Sequence, residues 1–143
     1  LGVGTGFSMA AKLAHPNKEV VCLYGDGSFG MTAFDMETAQ RFGAPYIAIV
    51  GNNSAMNQIR YGQISKYGAQ RGGVGNKLGD VDFSLFGKMI GGYGEEVREA
   101  SQIQPALLRA REAIAKTGKC AVVNVWVDPN EYAPGTKAQT MYK

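Results

Sequence analysis

Three runs of apolar, mostly β-branched residues divide the chain, and none of them alternates with polar positions. They cover residues 20–24, 46–50 and 121–127. Continuous apolar runs are typical of strands that are buried on both faces, as in a parallel sheet. Apolar residues at helical spacing lie between the runs, in segments 32–42, 82–90 and 101–115. Strands that alternate with helices predict an α/β fold, with an open, mostly parallel sheet and helices on both faces.

Capping residues define the ends of these helices. Gly43 and Pro45 end the first helix. Asp82 is an N-cap candidate for the second, and Ser101 with Gln104 forms a candidate capping box for the third. A weaker strand is predicted at 95–97. Two stretches, 52–79 and 129–143, lack a clear period, and long irregular stretches in a compact domain are typically functional loops or terminal segments.

Composition narrows the class of protein. The chain has 143 residues, 45% of them hydrophobic and 19% charged, which is typical of one globular domain. The net charge of +3 is too small to indicate a nucleic-acid partner. The longest apolar run has seven residues, whereas a membrane helix needs about 20. We therefore expect no nucleic-acid and no membrane partner.

The cysteines and the first residue lead to two further expectations. Cys22 and Cys120 both lie in strand-like runs, which favours two free thiols in a reducing cytoplasm over a disulfide. Leu1 is not methionine and lies within a glycine-rich motif. We expect the chain to be a piece of a longer protein, so that the predicted fold is incomplete at its N-terminus.

Polar residues follow the first two predicted strands. Asp26 comes directly after the first strand and Asn53 directly after the second, with one predicted helix between them. In such a right-handed βαβ unit both strands point the same way, and ligands bind at their carboxyl ends. The Asp26 carboxylate, the Asn53 amide oxygen and a backbone carbonyl near Ala55 are oxygen ligands of the kind that Mg²⁺ prefers. The sequence therefore predicts a Mg²⁺ site at this edge.

The same edge offers donors for a phosphate. Gly27 and Ser28 expose backbone N–H groups near the start of the following helix, and Ser28 adds a hydroxyl. A dinucleotide loop at 2–6 is the rival interpretation. That segment lacks the third glycine of the dinucleotide motif because Phe7 occupies its position, and no acidic residue follows at the required distance. A Mg²⁺-bound diphosphate is the better prediction.

These residues resemble a known motif. Gly25, Asp26, Gly27 and Ser28, followed at this spacing by Asn52 and Asn53, are similar to the thiamine diphosphate motif of thiamine-dependent decarboxylases, lyases and synthases. Segment 1–16 resembles the residues before that motif in the acetolactate synthase group, and the similarity continues to Asp26 without a gap. It covers nearly the whole chain. The resemblance implies that residues 1–128 are a pyrophosphate-binding domain with thiamine diphosphate and Mg²⁺ as cofactors.

The resemblance also implies the site residues. In the acetolactate synthase group, a bulky apolar residue at the Leu1 position supports the bent cofactor. The implied cofactor-binding residues are Leu1, Gly25, Asp26, Gly27, Ser28, Asn53, Ala55 and Met56, and the implied metal ligands among them are Asp26, Asn53 and Ala55. The glutamate that activates the cofactor belongs, in this family, to another domain of a partner subunit. No catalytic residue is therefore assigned here, and a homodimer or homotetramer with upstream domains is expected.

Particular segments favour one branch of the family. Segment 25–39 resembles 2-hydroxyacyl-CoA lyases and oxalyl-CoA decarboxylases, and segments 53–63 and 131–143 look most like bacterial 2-hydroxyacyl-CoA lyases. This branch implies cleavage of a 2-hydroxyacyl-CoA to formyl-CoA and an aldehyde or ketone through a thiazolium ylide. Many members carry Gly-Asp-Ser-Ala where this chain has Gly-Asp-Gly-Ser at 25–28. Acetolactate synthase, oxalyl-CoA decarboxylase and a degenerate thiamine-binding regulatory module therefore stay open as alternatives.

Two segments suggest how a substrate is held. Residues 38–79 contain five basic and no acidic side chains, and such a positive field attracts a polyanion such as coenzyme A. A solvated basic loop is the alternative. The tail at 129–143 is either a lid that closes over the active site or a frayed terminus.

Overall fold

A parallel sheet of four strands forms the centre of the computed structural model, which describes residues 1–130. The strands are β1 (Val21–Gly25), β2 (Ile47–Asn52), β3 (Tyr93–Val97) and β4 (Ala121–Trp126), in the spatial order β1-β2-β4-β3. All three neighbouring pairs are parallel. This arrangement confirms the predicted α/β fold. Most of the predicted tail lies outside the described residues.

Six helices connect and cover the strands of the described chain. They are α1 (Gly4–Ala14), α2 (Asp26–Thr32), α3 (Asp35–Arg41), α4 (Asn57–Gly72), α5 (Ser84–Met89) and α6 (Ala100–Thr117). Helix α4 occupies much of the stretch that lacked a clear period, and Gly68, with a φ of 79°, interrupts it. No helix among residues 1–130 is long and apolar enough to cross a membrane.

The helix predicted at 32–42 is wrong in its extent, because two short helices take its place. Helix α2 begins at Asp26, directly after β1, and a turn at 33–34 separates it from α3. Gly27 and Gly30 lower the helix propensity of this segment. The spacing of apolar residues alone therefore predicts a helix that starts too late in the chain. Phe29 is fully buried in the core, and this packing stabilises the helix in spite of the glycines.

The start of α6 also differs from the prediction. Its capping box is formed by Glu99 and Gln102, and the Gln102 side chain accepts the backbone N–H of Glu99 at 3.1 Å. Ser101 already lies inside the helix. The difference arises because Glu99 has an extended backbone, with φ −121° and ψ 137°, which ends the preceding loop two residues earlier. Helix α5 begins at Ser84, and Asp82 still accepts its backbone N–H at 2.9 Å.

The two faces of the sheet have different cores. One face packs aromatic residues, and the Phe29 ring forms edge-to-face pairs with Tyr24, Phe83 and Phe86 at centroid distances of 5.3–5.7 Å. The other face packs small aliphatic residues of β2, β3 and β4 against α6. Cys22 and Cys120 are free thiols, as predicted, and burial raises the pKa of Cys120 to about 11.

Candidate metal and diphosphate site

The Asp26 carboxylate lies at the carboxyl edge of the sheet, where β1 and β2 end side by side. Gly25 pairs with Gly51, so the residues that follow these two glycines meet. Asp26 is only 3% exposed. One of its oxygens, Oδ2, accepts the backbone N–H groups of Asn53 at 3.2 Å and Ala55 at 3.0 Å. The other, Oδ1, accepts the N–H of Gly27 at 2.7 Å.

These contacts hold the carboxylate without neutralising its charge. Backbone N–H groups orient a carboxylate through hydrogen bonds. None of the ion pairs within residues 1–130 includes Asp26. Three dipoles therefore fix the position of this negative charge, and the described part of the chain supplies no cationic side chain to pair with it.

The Asn53 side chain carries an oxygen without a partner. Its Oδ1 atom is buried and accepts no hydrogen bond from the protein. Nearly all buried polar atoms in proteins have a partner, and each exception needs an explanation. An amide oxygen is a hard ligand for Mg²⁺ or Ca²⁺. The backbone N–H of Asn53 donates to the Asp26 carboxylate. The unpaired Asn53 oxygen therefore lies in the loop that contacts this carboxylate.

The backbone carbonyl of Ala55 is a third candidate oxygen ligand. Ala55 forms an isolated antiparallel bridge with Lys77. The hydrogen bonds of that bridge use its neighbours, since Leu78 donates to the Ser54 carbonyl at 2.7 Å and Met56 donates to the Asn76 carbonyl at 2.8 Å. In such a bridge the N–H and carbonyl of the central residue point away from the partner segment. The Ala55 N–H points to Asp26, and its carbonyl is on that side.

The donor set fits a hard divalent cation. Asp26, Asn53 and Ala55 offer one carboxylate, one amide and one carbonyl oxygen, and Mg²⁺ typically combines such ligands with water and substrate phosphates. Within residues 1–130, no group of three or more His, Cys, Asp or Glu side chains could hold a metal. The oxygens of this edge would suit an oxygen-ligated ion such as Mg²⁺.

A cavity of about 360 Å³ opens beside these oxygens. All eight residues with a predicted cofactor role line it. Sequence reasoning missed four further lining residues, which are Gly51, Asn57, Gln58 and Ile59. Three of these residues lie in the first turn of α4, and the sequence gives no clear capping signal for its start. The residue before α4 is Met56, which provides no side-chain cap. The first turn of α4 was therefore hidden in a segment that lacked a clear period.

Close packing shapes one wall of the cavity. A Cβ atom on Gly27 would lie 2.7 Å from Cγ of Met56, which is closer than real Cβ contacts allow. A larger residue at position 27 would therefore require the Met56 side chain to shift. The Gly27 N–H donates to Asp26, so of the two N–H groups predicted to bind a phosphate, this one already has an acceptor within the protein.

Hydrogen bonds place the Leu1 segment against α2. The N–H of Gly2 donates to Oγ of Ser28 at 3.4 Å, and the hydroxyl of Thr32 donates to the Gly2 carbonyl at 3.1 Å. Thr5 contacts both Thr32 and the Tyr24 hydroxyl at 3.2 Å. Burial raises the pKa of the Tyr24 phenol, which keeps it a neutral partner. The sequence showed no signal for this network.

The surroundings of α4 bear on the predicted substrate contacts. Asn57 and Tyr61 both donate to the Pro129 carbonyl, at 2.8 and 2.6 Å, so the first residue of the predicted tail lies against α4. Residues 131–143 lie outside the described residues. Arg41 pairs at 3.3 Å with Glu37, which lies just before the basic stretch 38–79. The positive field of residues 38–79 therefore comes mainly from the other four bases.

Comparisons with known proteins agree with this geometry. The family model of the thiamine pyrophosphate enzyme C-terminal TPP binding domain matches residues 1–125. The chain is 32% identical over 137 residues to 2-hydroxyacyl-CoA lyase 2 of Mus musculus, covering 95% of this chain and 21% of that protein. For 2-hydroxyacyl-CoA lyase 2 of Danio rerio the identity is 33% over 138 residues, covering 95% and 22%.

A synthase is similar to the same degree. The acetolactate synthase large subunit IlvG of Mycobacterium tuberculosis is 34% identical over 134 residues, covering 94% of this chain and 23% of that protein. The chain thus spans about a fifth of the length of the relatives it matches. The family model covers most of the chain, and the cavity has the residues that the motif implies. The chain belongs to the C-terminal thiamine pyrophosphate-binding domain family of thiamine pyrophosphate enzymes.

Proposed function

We propose that the protein containing this chain is a thiamine diphosphate- and Mg²⁺-dependent lyase acting on 2-hydroxyacyl-CoA. It cleaves the substrate to formyl-CoA and an aldehyde or ketone, or joins these products in reverse. The observation that carries the cofactor part of the proposal is the orphaned Asn53 oxygen beside the uncompensated Asp26 carboxylate. The substrate part is supported by the relatives named 2-hydroxyacyl-CoA lyase 2 and by the branch resemblance of segments 25–39 and 53–63.

The residues of this chain bind and orient the cofactor. Asp26, Asn53 and the Ala55 carbonyl would hold Mg²⁺, and the ion would hold the diphosphate. Leu1 and Met56 are two of the large apolar residues that line the cavity, and they would pack against the cofactor. Bound thiamine diphosphate supplies a nucleophilic carbon and an electron sink for breaking the bond between the first two substrate carbons.

The rest of the active site comes from outside this chain. In this proposal, the activating glutamate and much of the substrate pocket belong to upstream domains and to a partner subunit of a homodimer or homotetramer in the cytoplasm. The basic side chains of residues 38–79 attract the coenzyme A part of the substrate. The chain alone is therefore expected to bind cofactor without turnover.

Acetolactate synthesis is the second candidate. It is favoured by the mycobacterial synthase at 34% identity and by Gly-Asp-Gly-Ser at 25–28, where the lyase branch often has Gly-Asp-Ser-Ala. Both candidates use the same cofactor site, so the substrate alone distinguishes them.

A substrate panel tests the proposal. The full-length protein, saturated with thiamine diphosphate and Mg²⁺, is given a 2-hydroxyacyl-CoA, oxalyl-CoA or pyruvate, and the products are identified by mass spectrometry. Formyl-CoA with an aldehyde or ketone, formed only from the first substrate, is the expected result. Acetolactate from pyruvate would assign the protein to the synthases. No product from any substrate would favour the regulatory thiamine-binding module.

A further inference from the structure

The loop that carries two of the proposed metal ligands contains a strained residue. Ser54, between Asn53 and Ala55, has a φ of 56°, in the left-handed region that residues other than glycine rarely adopt. Such a conformation persists only where the surroundings enforce it. Three contacts do so here. The Ser54 N–H donates to Oδ1 of Asn52 at 3.1 Å, its carbonyl accepts the N–H of Leu78 at 2.7 Å, and its hydroxyl donates to Asp80 at 2.6 Å.

The Asn52 side chain is the buried member of this support. Asn52 is 1% exposed, and its Nδ2 donates to the Val81 carbonyl at 2.7 Å and to Oδ1 of Asn124 at 2.9 Å. Both N–H groups of the amide are used by these two acceptors. The amide oxygen is therefore turned to the Ser54 N–H, and the orientation of the whole group is set.

The Asn124 side chain is unusual in its position. It lies in the middle of β4, is fully buried, and shares a face with Val122 in the aromatic core. Its Nδ2 atom has no hydrogen-bond partner. A buried amide with an unpaired N–H lowers stability, and an apolar residue of similar size avoids that cost. The Asn124 side chain makes its polar contact with Asn52, whose Nδ2 donates to the Asn124 oxygen. This acceptor role accounts for an asparagine at a buried position.

We propose that Asn124 is a positioning residue that acts through Asn52 and Ser54 on the two metal ligands Asn53 and Ala55. The proposal rests on the proposed Mg²⁺ site. Mg²⁺ requires near-octahedral geometry with oxygens at about 2.0–2.1 Å, whereas Ca²⁺ tolerates flexible sites at about 2.3–2.6 Å. A loop held in one shape therefore favours Mg²⁺. Loosening the loop weakens Mg²⁺ binding more than Ca²⁺ binding.

Two substitutions of similar shape separate the hydrogen bond from packing. In the full-length protein, Asn124→Leu removes the oxygen that accepts from Asn52, whereas Asn124→Asp keeps it. Mg²⁺ and Ca²⁺ are titrated separately by calorimetry in the presence of saturating thiamine diphosphate. We expect Asn124→Leu to raise the Kd for Mg²⁺ about three- to tenfold, the effect of one neutral hydrogen bond. The Kd for Ca²⁺ changes less, and Asn124→Asp stays within about twofold of the wild type.

A control on the same strand and face measures the effect of lost packing. Val122→Ala lowers the melting temperature but leaves Asn52 in place, so the Kd for Mg²⁺ is expected to stay unchanged. Asn124→Val also lacks an acceptor oxygen and replaces the leucine variant if that variant does not fold. The proposal is overturned if the folded variant without the acceptor oxygen binds Mg²⁺ with wild-type affinity. It is also overturned if the leucine and aspartate variants lose Mg²⁺ affinity equally.

A separate substitution tests the proposed metal site itself. Asp26→Ala removes its only carboxylate, and wild-type Mg²⁺ binding in that variant would overturn the metal assignment itself. If Asp26→Ala loses Mg²⁺ and Asn124→Leu does not, the metal site stands and the positioning role is wrong.

Discussion

Two carboxylates, one directly after β1 and one in the middle of β3, show two ways of holding a negative charge. Asp26, after β1, is nearly fully buried and accepts three backbone N–H groups. Glu95, on β3, is held by side chains, since Nε of Arg109 donates to it at 3.0 Å and the Tyr93 hydroxyl donates to it as well. The hydrogen bond from Arg109 is the main reason why the pKa of Glu95 lies below its ordinary value.

The difference separates a binding site from a structural ion pair. The charge of Glu95 is compensated by a guanidinium of the same domain, and its hydrogen-bonding capacity is used within the protein. The N–H groups around Asp26 orient it but carry no net charge, so a cation can still add its full electrostatic attraction there. Oriented backbone N–H groups and a bound divalent ion commonly occur together in sites that hold phosphates.

The largest effect is expected from removing the Asp26 carboxylate. Asp26→Ala removes the one charged group among the three proposed protein ligands of the ion. Changes to groups that merely support a metal ligand typically cost about 10- to 100-fold in affinity, so loss of a ligand itself should exceed about 100-fold. Isothermal titration of thiamine diphosphate into the full-length protein, with and without Mg²⁺, measures the effect.

Another aspartate at the start of a helix serves as the control. Asp35→Ala removes an exposed aspartate from the first turn of α3, outside the cavity, and should bind the cofactor as the wild type does. Mg²⁺-dependent binding of wild-type strength in Asp26→Ala would contradict the contrast between the two carboxylates.

A smaller effect is expected at Asn53. Asn53→Ala removes a neutral ligand, and Mg²⁺ readily keeps water in its place. We expect the Kd for Mg²⁺ to rise about tenfold, less than for Asp26→Ala, because the charge of the site is unchanged. The same titration measures it. An effect as large as that of Asp26→Ala would mean that Asn53 has a structural role in addition to its oxygen.

The sequence predicted that Asp26, Asn53 and Ala55 lie together better than it predicted the bounds of the helices around them. Asp26, Asn53 and Ala55 were placed together because two parallel strands with one crossover must end at the same edge. This inference depends on strand order and direction, which the apolar runs indicated. It does not depend on where each helix begins, so the errors at α2 and α6 left the site unchanged.

The supporting contacts could not be predicted from the sequence. Asn52 and Asn124 are 72 positions apart, and no local pattern shows which buried polar residues meet. The apolar run of β4 predicts a strand that includes Asn124, and the partner of Asn124 follows only from the register of β2 and β4. The close approach of Gly27 to Met56 depends likewise on packing between α2 and the loop before α4.

The smallest effect is expected at Glu95. Glu95→Gln removes the charge that pairs with Arg109 but leaves the carboxyl edge near Asp26 unchanged. Ion pairs with solvent-exposed members contribute little to stability, and Arg109 is exposed at the surface. We therefore expect the melting temperature at pH 7 to fall by no more than about 3 °C. Mg²⁺-dependent cofactor binding should not change, because the two carboxylates do not share a partner.

The pH dependence of this small effect has a definite sign. The pKa of Glu95 is lower in the folded than in the unfolded chain, so its ionised form stabilises the fold above the ordinary pKa of 4.5. That contribution is lost as the pH falls below 4.5 towards the lowered folded value. The melting temperatures of wild type and Glu95→Gln should therefore differ at pH 7 and converge in acid. A difference that persists in acid would show that the variant acts through packing rather than charge, and a change in Mg²⁺ affinity would show that the two carboxylates are coupled.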